Sequence, residues 1–271
     1  MIVFAGIMPH PPIVIPEIGH DDAKKTQKTH DALLKLATDL AESEPDTIII
    51  ISPHMTHYPH LFNVCGMRDL YGNFNAFDWH DSGWHGHNNT KLAAEIVDRT
   101  EEEGLPAMLY DNGEDEYELD HGVMVPLHFL LEKLDFPCKV MPISYSIASR
   151  SEHFIFGQII ADICTKNPNE RVAIIASGDL SHRLGQTPPA GMTYTGEEFD
   201  KNLVELIKKA DEYSIINMDD EFVENAGECG YRSILIMLGA ISGRDYQPEV
   251  LSYEGPFGVG YMVANMNVSS E

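Results

Sequence analysis

Three histidines in widely separated parts of the chain each follow a strand-like run of apolar residues. They are His10 after the run Ile2–Ile7, His54 after Thr47–Ile51, and His182 after Arg171–Ser177. In open α/β sheets, ligands bind in the crevice beyond the carboxyl ends of the strands. Imidazole is the commonest metal-binding side chain and the usual proton carrier near neutral pH. The spacing therefore predicts a metal enzyme whose site lies at this edge of a sheet.

His10 and His54 are the two candidates for metal ligands that lie closest to strand ends. Prolines on both sides of His10 restrict the backbone, which suits a rigid ligand. His54 is followed by His57 and His60, and spacing does not decide which of the three binds a metal. Because His54 is nearest the strand end, we expect it to be the best immobilised. We expect His57 to support it or to hydrogen-bond the substrate, and His60 to be solvated.

Two further motifs place a histidine beside an aspartate. His182 ends Ser-Gly-Asp-Leu-Ser-His, in which Asp179 is expected to orient a neighbouring imidazole. The alternative is an N-cap sequence that opens a short helix. His121 follows Asp120 just before an apolar helix, and it is either a fourth imidazole of the site or a helix-entry residue.

Glu228 is the predicted carboxylate ligand because its surroundings in Ala-Gly-Glu-Cys-Gly are small and uncharged. A carboxylate in such a setting needs a partner, and a cation would serve. Two histidines and one carboxylate leave open positions on a metal for substrate and dioxygen, as in non-haem Fe(II) oxygenases.

A second histidine cluster, made of His80, His85 and His87, lies in a Trp-rich segment. It could hold zinc, but no predicted strand immobilises it. We expect this segment to act instead as a lid that lines the substrate pocket.

The elements that must position these side chains alternate along the chain. Strands are also predicted at Leu61–Cys65, Ala107–Asp111, Lys139–Ser144 and Gly258–Asn265. Helices are predicted at Ala23–Ser43, Thr90–Glu103, Gly122–Lys133, Glu152–Thr165, Gly196–Asp211 and Gly230–Leu238. Pro11–Glu17 and the long stretch Arg68–Asn89 are predicted loops. This alternation predicts one α/β domain over residues 1–271, with a central, mostly parallel or mixed sheet flanked by helices.

Composition narrows the class of protein. With 18 Lys and Arg against 43 Asp and Glu, the formal charge is −25, which disfavours binding to nucleic acid or an anionic membrane. The sequence shows no signal peptide and no apolar run of the roughly 20 residues that span a bilayer. Four widely spaced cysteines are expected to be free thiols. The sequence therefore predicts a soluble, cytoplasmic protein.

Taken together, the motifs resemble those of the catalytic chains of class III extradiol ring-cleavage dioxygenases, the LigB-like family. The resemblance rests on His-Pro-Pro, Ser-Pro-His, Leu-Asp-His-Gly, Ser-Gly-Asp-Leu-Ser-His and Gly-Glu-Cys-Gly, in the order of that family. It implies that His10, His54 and Glu228 bind Fe(II), with Mn(II) and Zn(II) as alternatives. It also implies that His182 is the catalytic acid/base and that His121 contacts substrate or oxygen. The implied substrates are a catechol and dioxygen, and the implied assembly is a homodimer.

The opening His-Pro-Pro-Ile-Val-Ile-Pro-Glu-Ile-Gly is also similar to the Memo-like and AmmeMemoRadiSam-associated branch of the same fold. Members of that branch tend to carry the late Cys without the Glu, and they need not cleave aromatic rings. A Memo-like accessory protein that binds a metal, ligand or peptide is therefore the alternative function. A zinc hydrolase is a third interpretation, but the sequence has no Gly-x-Ser-x-Gly motif. If the substrate is a carboxylated catechol, His57, Arg183 or Arg232 is expected to meet its carboxylate.

Overall fold

The computed structural model of the chain describes residues 1–56, 58–185, 191 and 194–269. Its helices are α1 (Pro16–Ala23), α2 (Gln27–Glu42), α3 (Thr90–Glu102), α4 (His121–Leu131), α5 (Arg150–Lys166), α6 (Tyr194–Lys208), α7 (Glu212–Ile216), α8 (Asp220–Ala226) and α9 (Tyr231–Ile241). Its strands are β1 (Ile2–Met8), β2 (Thr47–Ile51), β3 (Phe62–Cys65), β4 (Asp69–Phe74), β5 (Trp79–His87), β6 (Ala107–Tyr110), β7 (Tyr117–Glu118), β8 (Lys139–Ser144), β9 (Val172–Ser177), β10 (Glu249–Glu254) and β11 (Tyr261–Asn265).

Eight strands form one sheet in the order β10-β11-β1-β9-β2-β8-β3-β6. The four central strands β1, β9, β2 and β8 are mutually parallel, whereas β11 pairs antiparallel with β1 and β3 pairs antiparallel with β8. The predicted α/β architecture, a central mixed sheet flanked by helices, is therefore confirmed. Because the central strands run in one direction, the loops that follow them meet at one edge of the sheet.

Both faces of the central sheet are covered, which explains the uninterrupted apolar runs. Along β2, Ile49 and Ile51 face one hydrophobic core, and Ile48 and Ile50 face the other. The first core contains side chains of α3, α5, α6 and α9, and the second contains side chains of α2 and α4. Every residue of β1, β2 and β9 is buried. The loops that leave these strands thus start from fixed positions.

The stretch Arg68–Asn89 is not a loop, which corrects the prediction made from the sequence. It contains β4 and β5, which pair antiparallel in a separate three-stranded sheet of order β5-β4-β7. Only one face of β4 is buried, through Leu70, Gly72 and Phe74, and β5 lies at the edge of the sheet. An edge strand needs few apolar residues, so its sequence carries little strand signal.

Several other elements also differ from the prediction. Part of the predicted loop Pro11–Glu17 is helical, with a 3-10 turn at Pro12–Val14 and α1 beginning at Pro16. Proline is tolerated in the first turn of a helix, so Pro16 starts α1 rather than preventing it. The short helices α7 and α8 and the strand β10 were not predicted. Within the described residues, none of the helices has the length and apolarity that crossing a lipid bilayer requires.

Candidate metal centre

Three histidines converge at the carboxyl edge of the central strands. His10 follows β1, His54 follows β2, and His121 is the first residue of α4. One ring nitrogen from each lies within 4.8 Å of the others. The ring centroids are 4.8 Å apart for His10 and His54, 5.4 Å for His10 and His121, and 4.1 Å for His54 and His121.

The hydrogen bonds of His10 fix which of its ring nitrogens carries the proton. Ser177 Oγ lies 2.9 Å from His10 Nδ1 and donates its own hydrogen to the carbonyl oxygen of Gly122 at 2.5 Å. Because that hydroxyl hydrogen is already used, Ser177 Oγ must accept a hydrogen from Nδ1. His10 is therefore protonated on Nδ1 and presents a lone pair on Nε2. This is how metal-binding histidines are usually oriented.

The lone pair of His10 Nε2 points at two other potential ligand atoms. His54 Nε2 lies 3.1 Å away and Cys229 Sγ lies 3.6 Å away. In a tetrahedral site with ordinary metal–ligand lengths, two nitrogens are about 3.4 Å apart, and a nitrogen and a sulfur about 3.6 Å apart. The His10–His54 separation and the His10–Cys229 separation are therefore each close to that of two ligands on one transition-metal ion.

The thiol of Cys229 is held in place by the loop that follows β9. The backbone N–H of Asp179 donates to Cys229 Sγ at 3.2 Å. Burial, reinforced by the Asp179 carboxyl, raises the pKa of Cys229 well above its usual value, so the thiol is neutral without a metal. His10, Asp179 and Cys229 form a second group whose ligand atoms lie within 4.8 Å of one another.

Ser52 and Asp120 connect His54 to the start of α4. Ser52 Oγ donates to Asp120 Oδ1 at 2.6 Å and accepts from the backbone N–H of His54 at 3.1 Å. Asp120 also caps α4, because Oδ1 accepts from the N–H of Val123. A Cβ on Gly122 would lie 2.3 Å from Ser52 Oγ. A side chain at this position would therefore displace the Ser52 hydroxyl from its hydrogen bonds with Asp120 and His54.

Asp179 is buried, and its hydrogen bond to a histidine is to the backbone of His10 and not to an imidazole ring. Its Oδ1 accepts from the backbone N–H of His10 at 3.0 Å. The pKa of Asp179 is raised to about 7. Burial is the main cause of the increase and the charge of Asp200 adds to it, while the hydrogen bond from His10 acts in the opposite direction. Asp179 thus holds the backbone of His10 and lies beside the thiol of Cys229.

His182 lies in the loop after β9, where its neighbour Ser181 is fixed on two sides. Ser181 N–H donates to Asp200 Oδ1 at 2.8 Å, and Ser181 Oγ donates to the carbonyl of Ala226 at 2.7 Å. His182 Nε2 is buried and has no hydrogen-bond partner among the described residues. Burial lowers the pKa of His182.

The imidazoles influence one another. Burial holds the pKa of His10 well below its usual value, and neighbouring histidines lower it further: His54, His121 and His182. Burial also lowers the pKa of His121. A neutral His182 close to this group can accept a proton, which is the property that the predicted acid/base requires.

The structure does not group Glu228 with the histidines, and its role as the third ligand stays a prediction. Its carboxylate accepts from the N–H of Tyr231 at 2.5 Å, at the start of α9, and lies 4.0 Å from Arg232. Cys229, the next residue, contacts His10 instead. In the described residues, Glu228 belongs to neither group of potential metal ligands. The carboxylate is used at the helix N-terminus, where backbone N–H groups are available.

The other predicted residues lie elsewhere. His57 falls outside the described residues. His85 and His87 are exposed and pair with Glu116 at 3.0 Å and Asp69 at 2.8 Å. Across the described ranges, neither they nor His80 belong to a group of three potential metal ligands. The zinc alternative for this segment therefore gains no support.

A cavity of about 460 Å³ opens beside His54 and His121. Asn73, Ala76 and Phe77 form part of its wall. Phe77 stands edge-on to His121, with ring centroids 5.6 Å apart. The cavity wall is thus formed by residues just before the Trp-rich segment Trp79–His87, and the expected role of that segment as a lid stays a prediction.

A protein-family model matches nearly the whole chain and shows the family to which it belongs. The family model described as the catalytic LigB subunit of aromatic ring-opening dioxygenase matches residues 5–264. The chain belongs to this family. The resemblance that the five sequence motifs predicted is therefore confirmed. Within the LigB family, the sulfur of Cys229 beside His10 is the feature of this site that the motifs did not predict.

Three similar proteins have names that do not mention ring-opening dioxygenases. Protein CA_C1420 of Clostridium acetobutylicum is 36% identical over 97% of this chain and 57% of the relative. MEMO1 family protein Mbar_A1422 of Methanosarcina barkeri is 30% identical over 56% of this chain and 53% of the relative. A MEMO1 family protein of Methanosarcina mazei is 25% identical over 73% of this chain and 63% of the relative. The chain thus spans less than two thirds of the length of each.

A solved structure supports the fold. The crystal structure of the uncharacterized protein JW3007 from Escherichia coli K12 matches with a TM-score of 0.66. The match covers 97% of this chain and 99% of that one, at 16% sequence identity. At this identity, the likeness establishes a shared LigB-like fold.

Proposed function

We propose that this chain is a metal-dependent oxidoreductase that binds one transition-metal ion through His10, His54 and Cys229. The observation that carries the proposal is the fixed tautomer of His10. Its unprotonated Nε2 lies 3.1 Å from His54 Nε2 and 3.6 Å from Cys229 Sγ, and each separation suits a pair of ligands on one ion. His121 stands on the cavity side of this group, where it can complete the coordination or contact a ligand.

The donor atoms favour some metals over others. Thiolate and imidazole are preferred by Fe(II), Zn(II) and copper, whereas Mn(II) prefers oxygen ligands. We propose Fe(II), because LigB-family membership connects the chain to aromatic ring opening by dioxygen. Such an ion, when bound, would supply a Lewis acid for a substrate hydroxyl and a redox centre for dioxygen.

The specific reaction proposed is extradiol opening of a catechol ring. His182 would take a proton from a catechol hydroxyl at Nε2, since that atom is unpartnered among the described residues and burial favours the neutral ring. His121, also neutral, would orient the substrate from the cavity wall. Phe77 would pack against the aromatic ring and exclude water from one side of His121.

The ligand assignment is tested by two neighbouring substitutions. Cys229→Ser and Glu228→Gln alter adjacent residues of the same motif, and only the first removes an atom near His10. After anaerobic purification and iron loading, we expect about one iron per chain in the wild type and in Glu228→Gln, and a large loss in Cys229→Ser. Iron loss in Glu228→Gln with full retention in Cys229→Ser would overturn the assignment.

A second candidate function is a Memo-like metal- or ligand-binding accessory protein that does not cleave rings. Two observations favour it: Cys229, and not Glu228, contacts His10, and two relatives are named MEMO1 family proteins. Oxygen uptake by the iron-loaded protein with a panel of catechols separates the two functions. Uptake supports ring opening, and its absence at full iron occupancy supports the accessory role.

A further inference from the structure

The cavity beside His54 and His121 is lined by both aromatic side chains and carboxyl groups. Its aromatic side chains are Phe77, Tyr110 and Tyr117, and the two tyrosine rings stand edge-on with centroids 5.8 Å apart. Two carboxyl groups, Glu118 and Asp120, also line it. None of its described lining residues is a lysine or an arginine. Aromatic faces and carboxylates both attract cations.

Glu118 is the carboxylate that a ligand can reach. It lies on the exposed rim, and its Oε2 accepts from the hydroxyl of Tyr71 at 2.9 Å. The pKa of Tyr71 is raised, first by this hydrogen bond, then by burial, and then by the charges of Glu118, Glu116 and Glu114. The rim is therefore negative, and it belongs to a chain whose formal charge is −25.

The arginines expected to meet a substrate carboxylate are engaged elsewhere. Arg183 Nη1 donates to the carbonyl of Asn225 at 3.0 Å. Arg232 stacks over the ring of Tyr145 and lines a different cavity, together with Arg150 and Glu228. Neither arginine is a lining residue of the cavity beside His54 and His121.

We propose that the cavity beside His54 and His121 selects small aromatic molecules that carry a protonated amine, and rejects those that carry a carboxylate. The aromatic walls hold the ring, and the amine lies at the rim near Glu118. The inference rests on the proposed function only in taking this cavity as the entrance to the metal site. The charge preference itself follows from the lining residues and does not require ring opening.

Three probes that share a ring and a two-carbon chain isolate the effect of charge: tyramine, 4-ethylphenol and 3-(4-hydroxyphenyl)propionate. None is a catechol, so none chelates metal, and binding can be measured on the metal-free protein by ligand-observed NMR titration. We expect tyramine to bind tightest, 4-ethylphenol next and the propionate weakest, with about tenfold or more between the extremes. Raising the salt concentration from about 50 to about 500 mM should narrow that gap, because the rim is exposed.

The matched variants are Glu118→Gln at the rim and Glu101→Gln on the exposed surface of α3, away from the cavity lining. Both remove one negative charge, so a general effect of net charge would appear equally in both. We expect Glu118→Gln to weaken tyramine severalfold and to leave 4-ethylphenol unchanged, and Glu101→Gln to change neither.

The inference is overturned if the propionate binds as tightly as tyramine, if the two variants behave alike, or if none of the probes binds. Iron loading of the same samples reports on the metal site separately. A sample that takes up iron but shows no charge preference would leave the proposed function standing and remove this inference alone.

Discussion

Gly178 and Gly230 lie in backbone contact: a Cβ added to Gly178 would be 2.1 Å from the Cα of Gly230. Gly178 follows β9 and Gly230 precedes α9, so this contact joins the two loops that carry Asp179 and Cys229. The N–H groups of both Cys229 and Gly230 donate to the carbonyl of Asp179, at 3.2 and 2.9 Å. The close approach of two glycines is what brings the thiol to His10.

Gly178→Ala is therefore expected to push these loops apart. Overpacking of a close contact typically costs about 1–3 kcal/mol in the free energy of unfolding, and the iron content should fall as well. Gly83→Ala is the matched control, because a Cβ at Gly83 meets nothing within 4 Å. Chemical denaturation and metal analysis check both expectations. Equal stability and iron content in the two variants would show that the glycine contact does not position Cys229.

Ser177→Ala should lower metal affinity without unfolding the chain. It removes the acceptor for His10 Nδ1–H, so the imidazole no longer has a fixed tautomer. Loss of such a supporting group typically costs about 10- to 100-fold in metal affinity. Ser233→Ala is the control, since Ser233 is buried and its Oγ has no partner among the described residues. Long-range ¹H–¹⁵N spectra of the metal-free protein report the tautomer directly, and an unchanged His10 pattern in Ser177→Ala would contradict the argument.

His182→Gln separates metal binding from turnover. Because the ring of His182 belongs to neither group of potential metal ligands among the described residues, we expect iron content to remain. Removal of a general acid/base typically costs about 10²–10⁴ in rate. Iron analysis beside oxygen uptake with an accepted catechol measures both. Full activity in this variant would exclude the acid/base role.

Ionisation of the buried Asp200 carboxyl group is expected to lower the free energy of unfolding as the pH rises. The carboxyl group accepts hydrogen bonds from the backbone N–H of Ser181 and the hydroxyl of Tyr253, and has a pKa raised by burial to about 7. The folded state therefore keeps a proton that the unfolded state releases near its ordinary pKa of about 3.9. The stabilisation from this proton is present at low pH and is lost as the pH rises towards 7.

Asp200→Asn removes that dependence and keeps an oxygen for Ser181. Between about pH 5 and pH 8, the wild type should lose about 2–3 kcal/mol more of its unfolding free energy than the variant does. Denaturant titrations at the two pH values provide the measurement. If wild type and variant lose stability in parallel, Asp200 is already ionised in the folded state at the lower pH.

The sequence was sufficient for the central strands of the sheet and for the positions of two candidate ligands, because both depend on strong local signals. A parallel strand covered on both faces appears as a continuous apolar run, such as Thr47–Ile51. The residue just beyond its carboxyl end must then lie in the crevice. This reasoning placed His10 and His54 beside each other, and their Nε2 atoms lie 3.1 Å apart. For His121 it left two alternatives, a fourth imidazole of the site or a helix-entry residue.

The pattern of apolar runs could not show whether Glu228 or Cys229 lies beside His10. Both residues belong to one motif, and the direction of each side chain depends on the turn before α9. Gly227 there adopts a φ of 62°, which favours glycine, and Glu228 accepts a hydrogen bond from the first turn of α9. The strand β5 was missed for a different reason, since its exposed edge carries polar residues where a buried strand would have apolar ones.

The donors of the proposed site are spread along most of the chain, with His10 near the start and Cys229 close to the end. A ribosome must therefore add the 219 residues that follow His10 before all of these donors exist. Metal uptake would then be a late event, after translation has passed Cys229 and the flanking strands have docked. A cell could for that reason control the amount of active protein through ion supply, independently of how much polypeptide it makes.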